Sequence, residues 1–182
     1  MFIDTHAHLT FPDFDKDRED VIKNAKSAGV ECVVNIGSGQ GLGDNVASLE
    51  LAKRFDWIYS TVGFHPHDAT SILDAAKGQK NKAEDPFGLI ERLSKDPKIV
   101  AVGEIGLDYH YLDKDRSAPA QKKADQIDCF VRLLSIARKA RLPIIVHDRD
   151  AHNDTIFTIR RENGAEFGGV MANAEANSYL LN

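Results

Sequence analysis

The sequence is poor in cysteine and has no long apolar run. Its 182 residues include 2 cysteines, Cys32 and Cys129, which lie far apart and outside any C-x-x-C motif. A disulfide-stapled secreted domain is therefore disfavoured, and we expect two reduced, buried thiols in a cytoplasmic protein. No apolar stretch approaches the roughly 20 residues of a membrane span. The amino terminus has no basic segment followed by an apolar one, so the sequence predicts no signal peptide and no membrane association.

Basic residues are not in excess either. The chain has 23 Lys and Arg against 28 Asp and Glu, which gives a net charge of −5. Non-specific affinity for DNA comes largely from Lys and Arg that neutralise phosphates, so this balance argues against a broad basic surface that coats nucleic acid. A DNA substrate held by metal ions and a few local cations stays open. The hydrophobic content of 42% and the length are typical of one globular domain with a substantial core.

Apolar strand-like runs alternate with amphipathic helix-like runs along the chain. Six strands are predicted, in the segments FIDTHAHL, ECVVNIG, WIYSTVGFHPH, KIVAVGEIGLD, LPIIVHDRD and AEFGGVM. Helices are predicted between most of them, with a polar loop at SILDAAKGQKNKAED and a helical tail at ANAEANSYLLN. The glycine-rich GSGQGLG lacks the Lys-Ser/Thr of a phosphate-binding loop and is interpreted as a turn. The alternation predicts βαβ units and a parallel sheet of the α/β class.

The unusual polar residues of the sequence fall where the predicted strands end. Asp4, His6 and His8 alternate along the first strand, so their side chains share one face of it. In α/β sheets and barrels, the carboxyl edge of the strands is where sites are built. Four more candidates end the third, fourth and fifth strands: His65, His67, Glu104 and His147.

Glu104 closes a run of apolar residues and needs a partner there. A buried carboxylate stays ionised only when it is paired, hydrogen-bonded or bound to metal. One interpretation is an ion pair with a core Lys or Arg. With His6, His8 and His147 at neighbouring strand ends, metal coordination explains more of the pattern. Imidazole and carboxylate ligands suit zinc or manganese, and they suit magnesium where water and phosphate oxygens complete the shell.

Three residues near these strand ends are candidates for substrate binding. His65 precedes a proline, which favours an extended backbone and keeps its side chain at the rim, where it could orient a phosphate or a leaving group. A histidine that only packs a loop is the alternative. His67 is a second candidate, and Arg149 could meet an anionic substrate or form an ion pair beside a helix. The remaining polar residues are expected at the rim or on the surface: Asp108, Tyr109, His110 and His152.

Four motifs together resemble the TatD family of metal-dependent deoxyribonucleases, which are amidohydrolase-like TIM barrels. They are DTHAHL at 4–9, GFHPH at 63–67, AVGEIGLDYH at 101–110 and LPIIVHDRDA at 142–151. The resemblance implies a (β/α)8-type barrel, of which about six βα units are present. It also implies hydrolysis of DNA phosphodiester bonds from the 3′ end with one or two divalent ions. D-aminoacyl-tRNA or a small amide or ester is the alternative substrate.

The resemblance also implies roles for the residues at the strand ends. It makes His6 and His8 ligands of one metal and His147 a ligand of a second. Glu104 would bridge the two ions and is the catalytic candidate. Two ions a few ångströms apart can activate water and stabilise the attacking and leaving oxygens, and they would supply positive charge to an acidic protein.

The sequence departs from the family pattern in its carboxyl-terminal part. The family has a histidine just after the sixth strand, whereas here no histidine follows His152 and the corresponding positions are Ala172, Asn173 and Ala174. The family's last metal-binding aspartate, on the eighth strand, has no counterpart. We therefore expect residues 1–182 to form a single TatD-like metal-dependent hydrolase domain, incomplete at the carboxyl terminus, with weak or no nuclease activity. A fragment that at most binds metal or a partner is the non-enzymatic alternative.

Overall fold

Parallel strands joined by helices form one sheet in strict chain order. The structure is a computed structural model and describes residues 1–78, 85–110, 112, 119–163, 169–173 and 179–181. In these ranges the strands are β1 (Phe2–Ala7), β2 (Val30–Asn35), β3 (Ile58–Val62), β4 (Ile99–Asp108), β5 (Ile144–Arg149), β6 (Gly169–Asn173) and β7 (Tyr179–Leu181). Five parallel pairings join β1 to β6 in sequence order, and β7 pairs antiparallel with β6. The predicted barrel-type fold is confirmed as a half-barrel.

Helices follow the strands as the sequence pattern predicts. They are α1 (Arg18–Ser27), α2 (Leu42–Lys53), α3 (Ala69–Gly78), α4 (Pro86–Leu93), α5 (Pro119–Ala140) and α6 (His152–Asn163). The side chain of Asp85 caps α4, because its Oδ2 accepts the N–H of Gly88 at 3.2 Å. Helix α2 begins after Gly41, and Asp44 lies buried in its first turn. Within the described ranges, no helix combines the length and the apolar character needed to cross a bilayer.

Two predicted segments differ from the structure. The first part of the predicted polar loop is the helix α3, because Ile72 and Leu73 on one side of it are buried in the core. Residues 79–84 of that loop lie outside the described residues. The predicted helical tail is wrong where it is described: β6 continues to Asn173, and 179–181 pairs with β6 as β7. Pairing satisfies backbone groups that β6 would otherwise leave open.

The core lies mainly between the sheet and helices α3, α4 and α5. Its largest buried side chains include Phe64, Phe130, Leu133, Leu134 and Ile144. The first strand is apolar at its start but lies outside this core, since Phe2 and Ile3 are 66% and 60% exposed. The reason is that β1 pairs with β2 on one side only, as far as the described residues show. The core therefore supports β3, β4 and β5 more strongly than β1.

The backbones of β4 and β5 approach closely beside two of the predicted site residues. Gly106 lies opposite His147 in the register, with a positive φ of 145°. A Cβ at this position would overlap the carbonyl oxygen of His147. Only glycine combines this conformation with so little space. Gly106 therefore allows β4 and β5 to pair at the level of the candidate site.

Replacing this glycine should loosen the pairing of β4 and β5. We expect Gly106→Ala to lower the free energy of unfolding by about 2–4 kcal/mol, because it adds backbone strain and a steric overlap. Urea denaturation measures the change. The matched control is Gly43→Ala in α2, where an added Cβ meets nothing within 4 Å. This control should leave stability unchanged or raise it, and equal effects of the two substitutions would contradict the prediction.

The two cysteines are free and differ in environment. Cys129 is buried, and burial raises the pKa of its thiol to about 12, whereas Cys32 is only partly buried. At pH 8 a pKa near 12 leaves about one Cys129 side chain in 10,000 as thiolate. We expect a thiol reagent to label one cysteine rapidly in the folded protein and the second only on unfolding. Cys32→Ser should abolish the rapid phase; rapid labelling that survives in this variant would contradict the assignment.

Candidate metal centre

The carboxyl edge of the sheet brings four of the predicted site residues together. His6 lies near the end of β1, and His8 follows this strand. Glu104 lies on β4 and His147 on β5, and both side chains are buried. Strand order alone would separate β1 from β4 by two strands, so the contact between their residues depends on the curvature of the sheet. The predicted convergence of these side chains is therefore present in the structure.

The first cluster consists of His6, His8 and Glu104. Their potential ligand atoms all lie within 4.8 Å of one another, and Nε2 of His6 is 3.5 Å from Oε2 of Glu104. Nδ1 of His8 is buried and has no hydrogen-bond partner among the residues that the structure describes. Asp4 does not join this cluster, since its Oδ1 accepts the backbone N–H of His6 at 3.0 Å. Two imidazoles and a carboxylate facing one point form a donor set that fits a cation.

The second cluster shares the same carboxylate. Oε1 of Glu104 is 2.9 Å from Nδ1 of His147, and Nε2 of His65 is 3.2 Å from that same Nδ1. The potential ligand atoms of these three residues also lie within 4.8 Å of one another. Glu104 therefore turns one oxygen towards each cluster. This is the position that a bridging carboxylate would need.

The charges of the site follow from burial and from its hydrogen bonds. Burial alone would raise the pKa of Glu104, but hydrogen bonds with His147 and His6 outweigh it and hold that pKa well below its usual range. Burial would lower the pKa of His147, but hydrogen bonds with Asp108 and Glu104 raise it to about 9. Glu104 is therefore ionised. Among the residues that the structure describes, its carboxylate pairs with His6 and His147 and not with the core Lys or Arg of the alternative interpretation.

Two other imidazoles of the site are neutral at physiological pH. Burial, together with the neighbouring His147, lowers the pKa of His65 to about 3. The pKa of His8 is also lowered, mainly by burial and by its neighbour His6. Metal ions bind the neutral form of imidazole, so the environment favours the protonation state that a ligand needs.

The three predicted substrate-binding residues lie at the same edge of the sheet. The ring of His65 packs against that of His67, with centroids 4.5 Å apart. His67 remains half exposed, and its Nε2 is 2.9 Å from Oδ2 of Asp108. Arg149 ends β5, in register with Asp108. Their roles towards substrate stay predictions.

Residues expected at the rim or on the surface form pairs of their own. These pairs join Tyr109 to Asp154 at 2.9 Å, His110 to Asp150 at 2.7 Å, and His152 to Asp148 at 2.8 Å. The hydrogen bond and burial raise the pKa of the Tyr109 phenol far above its usual value, with burial contributing most. Tyr109 is thus a neutral donor that ties the end of β4 to α6.

Sequence reasoning missed two residues that support the centre. Oγ of Ser38, a fully buried residue of the glycine-rich turn, accepts the backbone N–H of Glu104 at 2.8 Å. Asp108, expected at the rim, is instead buried against His147. One signal was available for Asp108: it lies four residues beyond Glu104 on one strand, and even spacing places two side chains on the same face.

A parallel βα sheet with histidines and one shared carboxylate at its carboxyl edge is the arrangement of metal-dependent hydrolases built on barrels. A family model described as TatD related DNase matches residues 3–178. The chain belongs to this family of metal-dependent hydrolases.

Individual relatives agree with this assignment. The chain is 38% identical over 172 residues to the uncharacterized metal-dependent hydrolase YabD of Bacillus subtilis (strain 168), covering 94% of this chain and 60% of YabD. It is 34% identical over 149 residues to the 3'-5' ssDNA/RNA exonuclease TatD of Salmonella typhimurium, covering 82% of this chain and 50% of the relative. The crystal structure of YjjV, a TatD homologue from Escherichia coli, superposes with a TM-score of 0.68 at 27% identity, covering 88% of this chain and 56% of YjjV. The chain thus spans about half to three-fifths of these relatives.

The departure noted after the sixth strand has a definite place in the structure. Ala172 of β6 lies in register beside His147 of β5. No histidine of the sequence follows His152. The candidate donors among the described residues therefore come from β1 and the residues that follow it, from β4 and β5, and from the turn after β3.

Removal of the His147 imidazole tests whether this residue is a metal ligand. We expect His147→Ala to weaken binding of zinc or manganese by roughly 100-fold, because it removes a buried donor beside Glu104. Isothermal titration calorimetry measures the affinity. His152→Ala is the control, since this exposed histidine pairs with Asp148 outside both clusters. Equal metal affinity of the wild type and His147→Ala would contradict the assignment of His147 as a ligand.

Proposed function

We propose that the protein is a TatD-like deoxyribonuclease that removes nucleotides from the 3′ end of single-stranded DNA with divalent metal ions. The observation that carries this proposal is the position of Glu104, whose two oxygens face two separate groups of imidazoles. A carboxylate shared in this way suits a pair of ions that act together on a phosphodiester. The Salmonella relative, whose name describes a 3'-5' exonuclease for ssDNA and RNA, supports the choice of substrate.

The residues divide into two ligand groups in this proposal. His6, His8 and Glu104 would hold one ion, and Glu104 with His147 would hold the second. Divalent ions bound here would activate a water molecule and stabilise the oxygens of an in-line displacement at phosphorus. The imidazole-rich donor set favours zinc or manganese, while magnesium would need water and phosphate oxygens to complete its shell.

His65 suits a substrate donor better than a metal ligand. Its Nδ1 accepts the backbone N–H of His67 at 3.3 Å. Because a neutral imidazole carries one proton, this bond places the proton on Nε2, which faces the centre. His65 would then donate a hydrogen bond to a phosphoryl oxygen. Neutrality follows from burial, which lowers the pKa of His65 to about 3.

Charge in the site would come mainly from bound ions. The chain carries a net charge of −5, so its own side chains give little general attraction to a polyanion. His67 and Arg149 at the rim would add local contacts with phosphates. We also place the protein in the cytoplasm, where its two free cysteines would remain reduced.

Turnover of labelled DNA tests the proposal. We expect the protein with manganese or magnesium to shorten 5′-labelled single-stranded DNA stepwise from its 3′ end. Glu104→Gln should lower the rate by at least about 100-fold, because an amide cannot bridge two cations as a carboxylate does. His152→Ala, outside both clusters, should keep the wild-type rate.

Two other results would overturn the nuclease proposal and identify its replacement. Hydrolysis of D-aminoacyl-tRNA or of a small ester, with no cleavage of DNA, would indicate a hydrolase that uses the same metal centre on another bond. Tight metal binding without turnover of any of these substrates would indicate a metal-binding domain. The alanine at position 172 beside His147 is the observation that favours this last alternative.

A further inference from the structure

Asp108 is a buried carboxylate that contacts two histidines of the site. It ends β4 and is 1% exposed. Its Oδ2 lies 3.1 Å from Nε2 of His147 and 2.9 Å from Nε2 of His67. Charge at a buried position is costly unless it is paired, so these two contacts account for how Asp108 is tolerated there.

The two ring nitrogens of His147 face different groups. Nε2 faces Asp108, whereas Nδ1 lies 2.9 Å from Oε1 of Glu104. Both carboxylates can only accept hydrogen bonds, so without metal each favours a proton on the ring nitrogen that it faces. An ion bound beside Glu104 would replace the proton on Nδ1, while Asp108 would keep the proton on Nε2. When imidazole binds a metal through one nitrogen, the other retains its proton. Nδ1 is therefore the nitrogen that is available to the centre.

The orientation of Asp108 is fixed by its other contacts. Its backbone N–H donates to Oε1 of Gln126 at 2.9 Å, and its carbonyl accepts from Nε2 of Gln126 at 3.0 Å. Its second carboxylate oxygen, Oδ1, accepts the backbone N–H of His110 at 3.0 Å. These bonds hold the carboxylate in place and leave Oδ2 for His147 and His67.

We infer that Asp108 is a positioning residue that holds the Nε2 proton of His147 and thereby presents Nδ1 of His147 to the metal. The inference rests on the proposed function, in which His147 is a ligand. A carboxylate paired with a metal-binding imidazole fixes the ring orientation and increases its strength as a ligand. Because Oδ2 of Asp108 also contacts Nε2 of His67, Asp108 links His67, a predicted substrate-binding residue, to His147, a proposed metal ligand.

Zinc binding by Asp108→Asn tests the inference. Asparagine keeps the shape of the side chain but loses its charge, and its amide can donate as well as accept, so it no longer selects a proton on Nε2. One zinc-binding step should be lost in His147→Ala. We expect Asp108→Asn to lower the zinc affinity of that same step by about 10- to 100-fold. The step that His8→Ala removes should be unchanged, because Asp108 does not contact the first cluster.

A matched control and a spectroscopic measurement separate positioning from general destabilisation. Asp148→Asn removes a buried carboxylate from the next strand, where it bonds His152 at 2.8 Å, and should leave both zinc-binding steps unchanged. Long-range ¹H–¹⁵N correlation spectra of the zinc-loaded wild type should show Nδ1 of His147 bound to zinc and Nε2 protonated. This spectrum needs no variant, so it tests the inference even where Asp108→Asn fails to fold.

The outcomes distinguish this inference from the proposed function. Zinc coordinated by Nε2 of His147, or equal zinc affinity of the wild type and a folded Asp108→Asn, overturns the role of Asp108 and leaves the metal centre standing. Absence of zinc binding in the wild type overturns the proposed metal centre, and the inference fails with it.

Discussion

The candidate site depends on keeping one carboxylate ionised inside the protein. Glu104 is buried, and burial by itself would favour its neutral form. His147 and His6 reverse this preference by placing imidazoles at its two oxygens. The residues that carry these imidazoles lie on β5 and β1, at opposite sides of β4 in the chain order. Glu104 therefore links strands that are not neighbours in the sheet.

The surrounding fold holds this carboxylate by its backbone as well as by its side chain. Ser38 accepts the N–H of Glu104, which connects β4 to the turn that follows β2. Gly106 allows β4 to approach β5 closely at the level of His147. Both supports come from small residues whose side chains carry no charge. The position of the candidate metal donors thus depends on strand packing as well as on the contacts between the donors themselves.

The strands and the convergence of His6, Glu104 and His147 could be predicted from the sequence because both follow from local patterns, while the roles of these residues as metal ligands stay predictions. Apolar runs identify the strands without knowledge of packing. Their ends are less well defined, since Glu104 and His147, expected to end their strands, lie within β4 and β5. The polar loop that became α3 shows the limit of local patterns, since the burial of Ile72 comes from contacts with distant elements. Phe2 is exposed although its segment is apolar, because apolar composition alone does not distinguish an edge strand from an interior one.

Asp108 shows why supporting residues are harder to predict than ligands. Its sequence neighbours place it at the end of a strand, where both a rim position and a buried one are reasonable. Its role depends on His147 and His67, which are about 40 residues away in opposite directions along the chain. A histidine motif identifies donors by residue type, whereas the choice of ring nitrogen depends on what lies behind the ring. Two chains with identical donor motifs can therefore differ in metal affinity through a residue such as Asp108, which lies behind a ligand in the proposed centre.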